Sequence, residues 1–219
     1  NASTLVQDAI AAAQRATQVG PGNVANWSSL AVIYQRIMGV TAGADAFAIT
    51  SFEKSIELEP ANPELHLELG KVHLSRSDIA NQQAQQTKDE AQKKSLGEVA
   101  VAALGKAEQS FNRAIELKRD YAPAHYQLAL VFDRQGKIKE AITRMQALVS
   151  ANPQDVGVGF QLALLYFRDS RKNDAVRLME SVVRLSPNFS NARWYLASMY
   201  EERGELDKAI AELEKVLEL

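Results

Sequence analysis

Three histidines are the first residues in this sequence whose type and spacing could do chemistry. His66 and His73 stand seven apart in a stretch with helical spacing, and His125 lies further along the chain. Two imidazoles on one helix suggest a metal site, which also needs a carboxylate or a third imidazole in register. No His-Glu-x-x-His motif occurs, no acidic residue falls in ligand register, and the chain has no cysteine. The missing thiol also excludes disulfides, thiolate ligands and a cysteine nucleophile, and leaves the redox compartment open. Serines and aspartates are common but form no nucleophile elbow, and no strand leads into a Gly-rich phosphate loop. Neighbouring acids such as Glu201 and Glu202 read as a solvated helix face. The histidines themselves read as packing residues at a core boundary. The sequence therefore predicts no catalysis, no metal and no cofactor.

Any such side chains must be positioned by elements, and the composition bounds what those elements are. Hydrophobic residues make up 46% of 219 and charged residues 24%, the balance of a chain that folds around a core. A net charge of −2 with interleaved signs gives no electrostatic reason to expect nucleic acid or an anionic membrane as partner. No apolar run approaches the roughly 20 residues needed to span a bilayer. The start, NASTLVQDAI, has no basic segment followed by an apolar core, so no signal peptide is visible. Asn1-Ala2 reads as the remnant of a cleaved tag, and the chain as a soluble segment cut from a longer protein.

The stronger signal is repetition. From Tyr126 the chain reads YQLALVFDRQGKIKEAITRMQALVSANP, and from Phe160 it reads FQLALLYFRDSRKNDAVRLMESVVRLSP. Sliding the block 122–155 by its own length of 34 residues gives 156–189, then 190–219, which stops short. Upstream, block 24–62 carries five extra residues, block 63–121 carries twenty-five, and 1–23 matches only the second half of a block. Leu recurs as Leu30, Leu69, Leu128, Leu162 and Leu196, each followed by a small residue: Ala31, Gly70, Ala129, Ala163, Ala197. Three residues later comes a ring, namely Tyr34, His73, Phe132, Tyr166 and Tyr200. In the second halves Ala recurs as Ala48, Ala107, Ala141, Ala175 and Ala209, with Ala9 in the partial block. Pro21, Pro60, Pro153 and Pro187 close blocks, and Arg119 fills the remaining slot.

Each half-block has helical spacing, as in His125, Leu128 and Phe132, or Ala141, Met145 and Leu148. Gly136 and Gly204 stand where a first helix must end, and the prolines where a second one does. An Ala or Gly on each helix lets the partner's Leu and ring drop close, so each hairpin packs tightly. One hairpin cannot bury its own apolar face, so neighbours must stack into a rod with a concave side.

Trp27, Leu30, Ala31, Tyr34, Ala48, Phe52 and Pro60 reproduce the tetratricopeptide signature almost letter for letter, and the chain resembles that family over nearly its whole length. The resemblance implies an all-α fold: an α-solenoid of stacked antiparallel hairpins in a right-handed superhelix, about eleven helices in one domain spanning 1–219. Gly159 and Arg193, where an aromatic is usual, and Arg119 for Pro are departures. The same resemblance implies a peptide-binding groove lined by first helices. Its slots here hold Tyr126, Leu130, Asp133 and Arg134; Phe160, Leu164, Phe167 and Arg168; Trp194, Ser198, Glu201 and Glu202. Upstream they hold Ser28, Val32, Gln35 and Arg36, then Leu67, Lys71 and Leu74. Tyr126, Phe160, Phe167 and Trp194 would form an aromatic stripe flanked by Arg134 and Arg168, and large rings and Arg dominate recognition hot spots. The Lys and Asn by which one family branch clamps a chaperone C-terminus are absent, since those slots hold Ser28, Val32, Leu67 and Lys71.

The expected function is a protein-interaction module that holds a peptide or helix. The alternative is a structural spacer or end-on self-assembling scaffold, through Val6, Ile10 and Ala13 or through Leu213, Val216 and Leu217. The block spacing also resembles the soluble tails of bacterial O-antigen ligase and polymerase-like membrane proteins. The insertion, within 76–105, predicts a second helix that starts early at a Thr87–Glu90 or Ser95–Glu98 capping box. Shared between two helices, it lengthens each by roughly 18 Å. It reads either as an inert protrusion or as a further contact site.

Overall fold

The computed structural model describes residues 2–219, with side chains from Thr4 onward. Among the described residues there are eleven α-helices and no strand. They are α1 (Ala2–Val19), α2 (Val24–Arg36), α3 (Ala44–Leu58), α4 (Pro63–Gln86), α5 (Glu90–Leu117), α6 (Ala122–Arg134), α7 (Ile138–Ala151), α8 (Val156–Arg168), α9 (Lys172–Leu185), α10 (Ser190–Glu201) and α11 (Leu206–Leu217). They form two compact units, one ending at Val131 and the other Phe132–Leu219, so the division falls inside α6. Successive helices pack on one another from α1 through α5 in the first unit and from α7 through α11 in the second.

Local chemistry sets the helix starts. Asn23 caps α2 by accepting from Ala25 N at 2.9 Å, and Asn62 caps α4 by accepting from Glu64 N at 3.0 Å. Pro63 follows Asn62 at the first helical position, where its missing N–H costs nothing. Asp155 caps α8 through Val158 N at 3.0 Å. In the second unit the first helix of each hairpin ends alike. Lys137, Arg171 and Glu205 donate their N–H back to Phe132, Tyr166 and Tyr200 O at 2.8, 2.8 and 2.9 Å. That six-residue closure requires a left-handed residue just before the donor. Gly136 and Gly204 supply it at φ 75° and 74°, whereas the third case is Ser170 at φ 62°.

The small-residue rule holds where a companion helix exists. Ala48, Ala107, Ala141 and Ala175 are completely buried, and Ala209 nearly so. Gly70 shows why the site must be small, because an added Cβ would run into the buried Phe111 ring of α5. Ala9, assigned to the same slot as Ala48, is exposed. Helix α1 instead turns Ile10 and Ala13 onto the cluster of Leu30, Ala31, Tyr34 and Phe52. The expected N-terminal apolar stripe is therefore out of register: Ile10 and Ala13 pack inward, while Leu5 and Val6 face outward.

The insertion becomes helix. Helix α4 has 24 residues and α5 has 28, against 13 for α2 and 14 for α7. The excess lengthens them by roughly 16 and 21 Å at about 1.5 Å per residue. Neither expected capping box opens α5. Asp89 does, accepting from Ala91 and Gln92 N at 2.9 and 3.3 Å. Thr87 terminates α4 and bonds Gln92 Oε1 at 2.6 Å, which ties the two ends together. The arm is not a bare protrusion. The five residues added to the first block lie in the α2–α3 turn, and this turn meets the arm around a recess of about 390 Å³ that includes Gly39, Thr41, Ile79, Gln83, Leu96 and Val99. The arm's base is tied to α3 by an Arg76–Asp45 ion pair at 3.1 Å.

Candidate functional site

The histidines that opened the question of chemistry are structural. His66 Nε2 lies 3.1 Å from Pro60 O, and His125 Nε2 lies 2.8 Å from Arg119 O. A carbonyl can only accept, so each Nε2 carries a proton. Trp27 occupies the same slot and donates Nε1–H to Pro21 O at 2.8 Å. Arg193, the apparent departure, donates Nε–H to Pro187 O at 2.6 Å. In all four cases the acceptor is the residue six positions back, in the turn that closes the preceding block. The shared property of the slot is an N–H, which an aromatic consensus conceals. Arg193 is buried, and its guanidinium also bonds the shielded Glu212 of α11. Gly159 fills the slot in α8 with no donor, and a Cβ there would crowd Val182 at 3.1 Å.

A second periodic bond holds successive second and first helices together. Tyr34 and Tyr166 phenol oxygens accept from Gln14 and Gln146 Nε2 at 3.0 and 2.8 Å, and Tyr200 donates to Glu180 Oε1 at 2.6 Å. Each partner lies twenty residues back. Burial first, then the bond to Glu180, pushes the Tyr200 pKa up. His73 sits in this ring slot, and its Nδ1 has no hydrogen-bond partner. Burial, followed by the fields of Arg76 and Lys106, pulls its pKa down to about 4. Among the described residues no cluster of three His, Asp or Glu could hold a metal ion.

The residues expected to line the groove divide between the two units. Tyr126 and Leu130 are half-buried on the part of α6 that belongs to the first unit. Arg134, Phe160, Leu164, Phe167, Arg168, Trp194 and Ser198 belong to the second. Phe160 is not a surface ring. It is 9% exposed, with ring centroids 5.0 Å from Phe189 and 5.6 Å from Tyr195. Both partners come from the following hairpin, which covers the Phe160 ring. Trp194, in the same slot of α10, is 53% exposed and stands edge-on to Tyr195 at 4.9 Å. Leu164 and Phe167 are half-buried, and Arg168 and Arg134 are exposed. Arg168 is engaged with Asp133, one bond at 2.8 Å and a second closer one. The bond to Asp133 raises the Arg168 pKa and so secures its charge. Arg168 is thus an exposed cation already paired within the chain.

Trp194 and Ser198 share an apolar recess of about 310 Å³ with Ala197, Leu206, Ile210 and Leu213. Glu201 stands at its edge. The side chains of Leu206, Ile210 and Leu213 are between 41% and 58% exposed, an uncovered apolar face.

A larger recess, of about 1010 Å³, lies in the first unit. It opens between α2 and the start of α4, over Val24, Ser28, Val32, Phe52 and Leu65, with Glu59, Glu64 and Glu68 around it. Of the upstream groove slots, Ser28 and Val32 line it, while Leu67 and Leu74 are buried and Lys71 pairs with Glu68 at 2.6 Å. The available signal was the acidic run of Glu57, Glu59, Glu64 and Glu68 on either side of Pro60.

Stacked hairpins with a repeated donor slot, a buried small residue and a ring define a helical-repeat fold. Residues 123–155 and 160–219 each match a family model for the tetratricopeptide repeat, and these segments are tetratricopeptide repeats. A search of curated protein sequences finds no relative. Among solved structures, the 41-end form of MamA from Desulfovibrio magneticus RS-1 is 21% identical, with a TM-score of 0.64 over 88% of this chain and 94% of that one. YrrB, described as a TPR protein with an unusual peptide-binding site, is 16% identical, with a TM-score of 0.60 over 94% of this chain and 91% of that one. A thermophilic TPR protein of Thermus thermophilus, TTC0263, is 19% identical, with a TM-score of 0.60 over 90% of this chain and 92% of that one. These likenesses are of fold. No helix among the described residues is long and apolar enough to cross a membrane.

Proposed function

We propose that this chain is a protein-interaction module that holds a peptide or helical segment. The observation that carries the reading is the pairing of an exposed Trp194 with an apolar recess on a tetratricopeptide scaffold. A large exposed ring beside an apolar hollow is costly to leave in water and is the kind of group that anchors a partner. Leu164, Phe167 and Ser198 extend that surface, and Arg134 supplies charge near the start of the second unit. In the first unit, Tyr126 and Leu130 offer apolar side chains of the same kind. YrrB, with its peptide-binding site, is the neighbour whose activity fits this reading. The block spacing supports placing the module as the soluble tail of an O-antigen ligase-like membrane protein.

The test is selection of a displayed peptide library on the immobilised protein, followed by titration of an enriched peptide. Trp194→Ala should weaken binding by about 2 kcal/mol if the ring is an anchor. Unchanged affinity moves the site away from α10. If no sequence is enriched and sedimentation shows concentration-dependent association, the exposed Leu206, Ile210 and Leu213 serve self-assembly instead.

A further inference from the structure

The recess in the first unit has a chemistry unlike that around Trp194. Its floor is apolar, from Val24, Val32, Phe52 and Leu65, and its lining includes three carboxylates but no Lys, Arg or His. Two of those acids are partly engaged. Glu59 accepts from Asn62 Nδ2 at 2.9 Å, and Glu68 pairs with Lys71 at 2.6 Å. Glu64 is exposed and has no ion-pair partner among the described residues. The combined field reaches Tyr121, whose pKa is raised first by burial and then by Glu64 and Glu68.

Two helix N-termini border the recess and pull the other way, since each carries about half a positive charge. Their exposed donors are largely spoken for. Asn23 and Asn62 accept from the N–H groups of Ala25 and Glu64, and Pro63 has no N–H. Two half charges and Lys71 set against three carboxylates leave the recess negative. An anion or an acidic peptide is therefore disfavoured there.

We propose that this recess takes a Lys or Arg side chain of a bound polypeptide, with its aliphatic stem on Val32 and Leu65 and its cationic head among Glu59, Glu64 and Glu68. Long basic side chains have this two-part character, an apolar stem and a charged tip. The inference rests on the peptide-binding reading above and specifies the chemistry that the first unit selects. Arg is favoured over Lys because its planar fork can meet two carboxylate oxygens at once.

The experiment uses three short fluorescein-labelled peptides in anisotropy titrations with the whole chain. One is built from Ala, Leu and Arg, and in the other two every Arg is replaced by Gln or by Glu. The Arg peptide should bind, with an affinity that falls as salt is raised. Glu64→Gln together with Glu68→Gln should weaken it about tenfold, two partly exposed carboxylates each contributing modestly. Ser28→Trp, which fills the recess without touching its charge, should abolish it. Equal binding of the Arg and Gln peptides would overturn the charge selection while leaving the peptide-binding reading intact. Preference for the Glu peptide would overturn the selection and assign the recess to the helix N-termini. Arg-peptide binding that survives both recess variants, whether or not Trp194→Ala affects it, would also overturn the proposal. Failure of all three peptides to bind would overturn the proposal, while the peptide-binding reading stands or falls on the library selection.

Discussion

Replacing Gly70 by Ala tests the close-approach argument in its most demanding case. Two effects oppose each other. In a helix interior Ala is better than Gly by about 1 kcal/mol, because Gly loses more backbone freedom on folding. Against that, the new methyl would meet three atoms of the Phe111 ring at separations that real Cβ atoms do not show. The obstacle is a rigid ring that is itself fully buried, so it cannot swing away like a long side-chain tip. Overpacking of this kind costs about 1–3 kcal/mol, and the severity of this contact puts it at the upper end. The net expectation is a loss of about 2 kcal/mol. Urea unfolding should be followed by tryptophan fluorescence in a Trp194→Phe background, where Trp27 reports the first unit alone. The decisive comparison adds Phe111→Leu, which costs stability by itself but removes the obstacle. In that background Gly70→Ala should be neutral or stabilising. A penalty that persists without the Phe111 ring, or no penalty with it, would refute the close-approach argument.

Ser170→Gly should stabilise the second unit by about 1 kcal/mol, because the residue sits at φ 62° where Gly136 and Gly204 serve the equivalent turns; a drop in the urea midpoint would count against it. Arg193→Ala should cost about 2 kcal/mol by leaving Pro187 O without its donor and Glu212 with Lys215 as its one ion-pair partner among the described residues, and Arg193→Trp combined with Glu212→Gln should recover most of that loss in thermal melts. His73 has a folded-state pKa depressed from 6.5 to about 4, so below pH 6.5 the unfolded chain takes a proton that the folded one refuses. Its contribution is intact above that pH and is lost as pH falls toward 4, by about 3 kcal/mol in all. His73→Phe, matching the ring at Phe132, should flatten the first unit's stability profile across that window; an unchanged profile would refute the assignment.

The helices were legible because their signals are local and redundant: a spaced apolar stripe in each, a side-chain cap at α2, α4, α5 and α8, and a Gly or Pro at most of the breaks. The insertion was legible as helix for the same reason. Its start was misplaced because three acceptors, Thr87, Asp89 and Ser95, compete over nine residues, and only the packed arm decides for Asp89. The groove was read less well, because slot equivalence gives direction and not cover. Phe160 and Trp194 occupy one slot, yet Phe189 and Tyr195 cover the first while the second is exposed. Arg168 is expected beside the aromatic stripe, but its pairing with Asp133 was not legible because that partner lies in the preceding block, beyond any local pattern. The recess at Glu64 escaped because its walls come from two turns and two helices, and no single stretch of sequence holds it.

The choice of donor at the block junctions also bears on how freely such a chain can vary. His66 and His125 through Nε2–H, Trp27 through its indole N–H and Arg193 through Nε–H all reach the carbonyl six residues back. A junction of this kind is indifferent to the size and charge of its donor, so one block can exchange a ring for a guanidinium without altering the turn it secures. Gly159 offers no side-chain donor, and close approach to Val182 takes the place of the bond there.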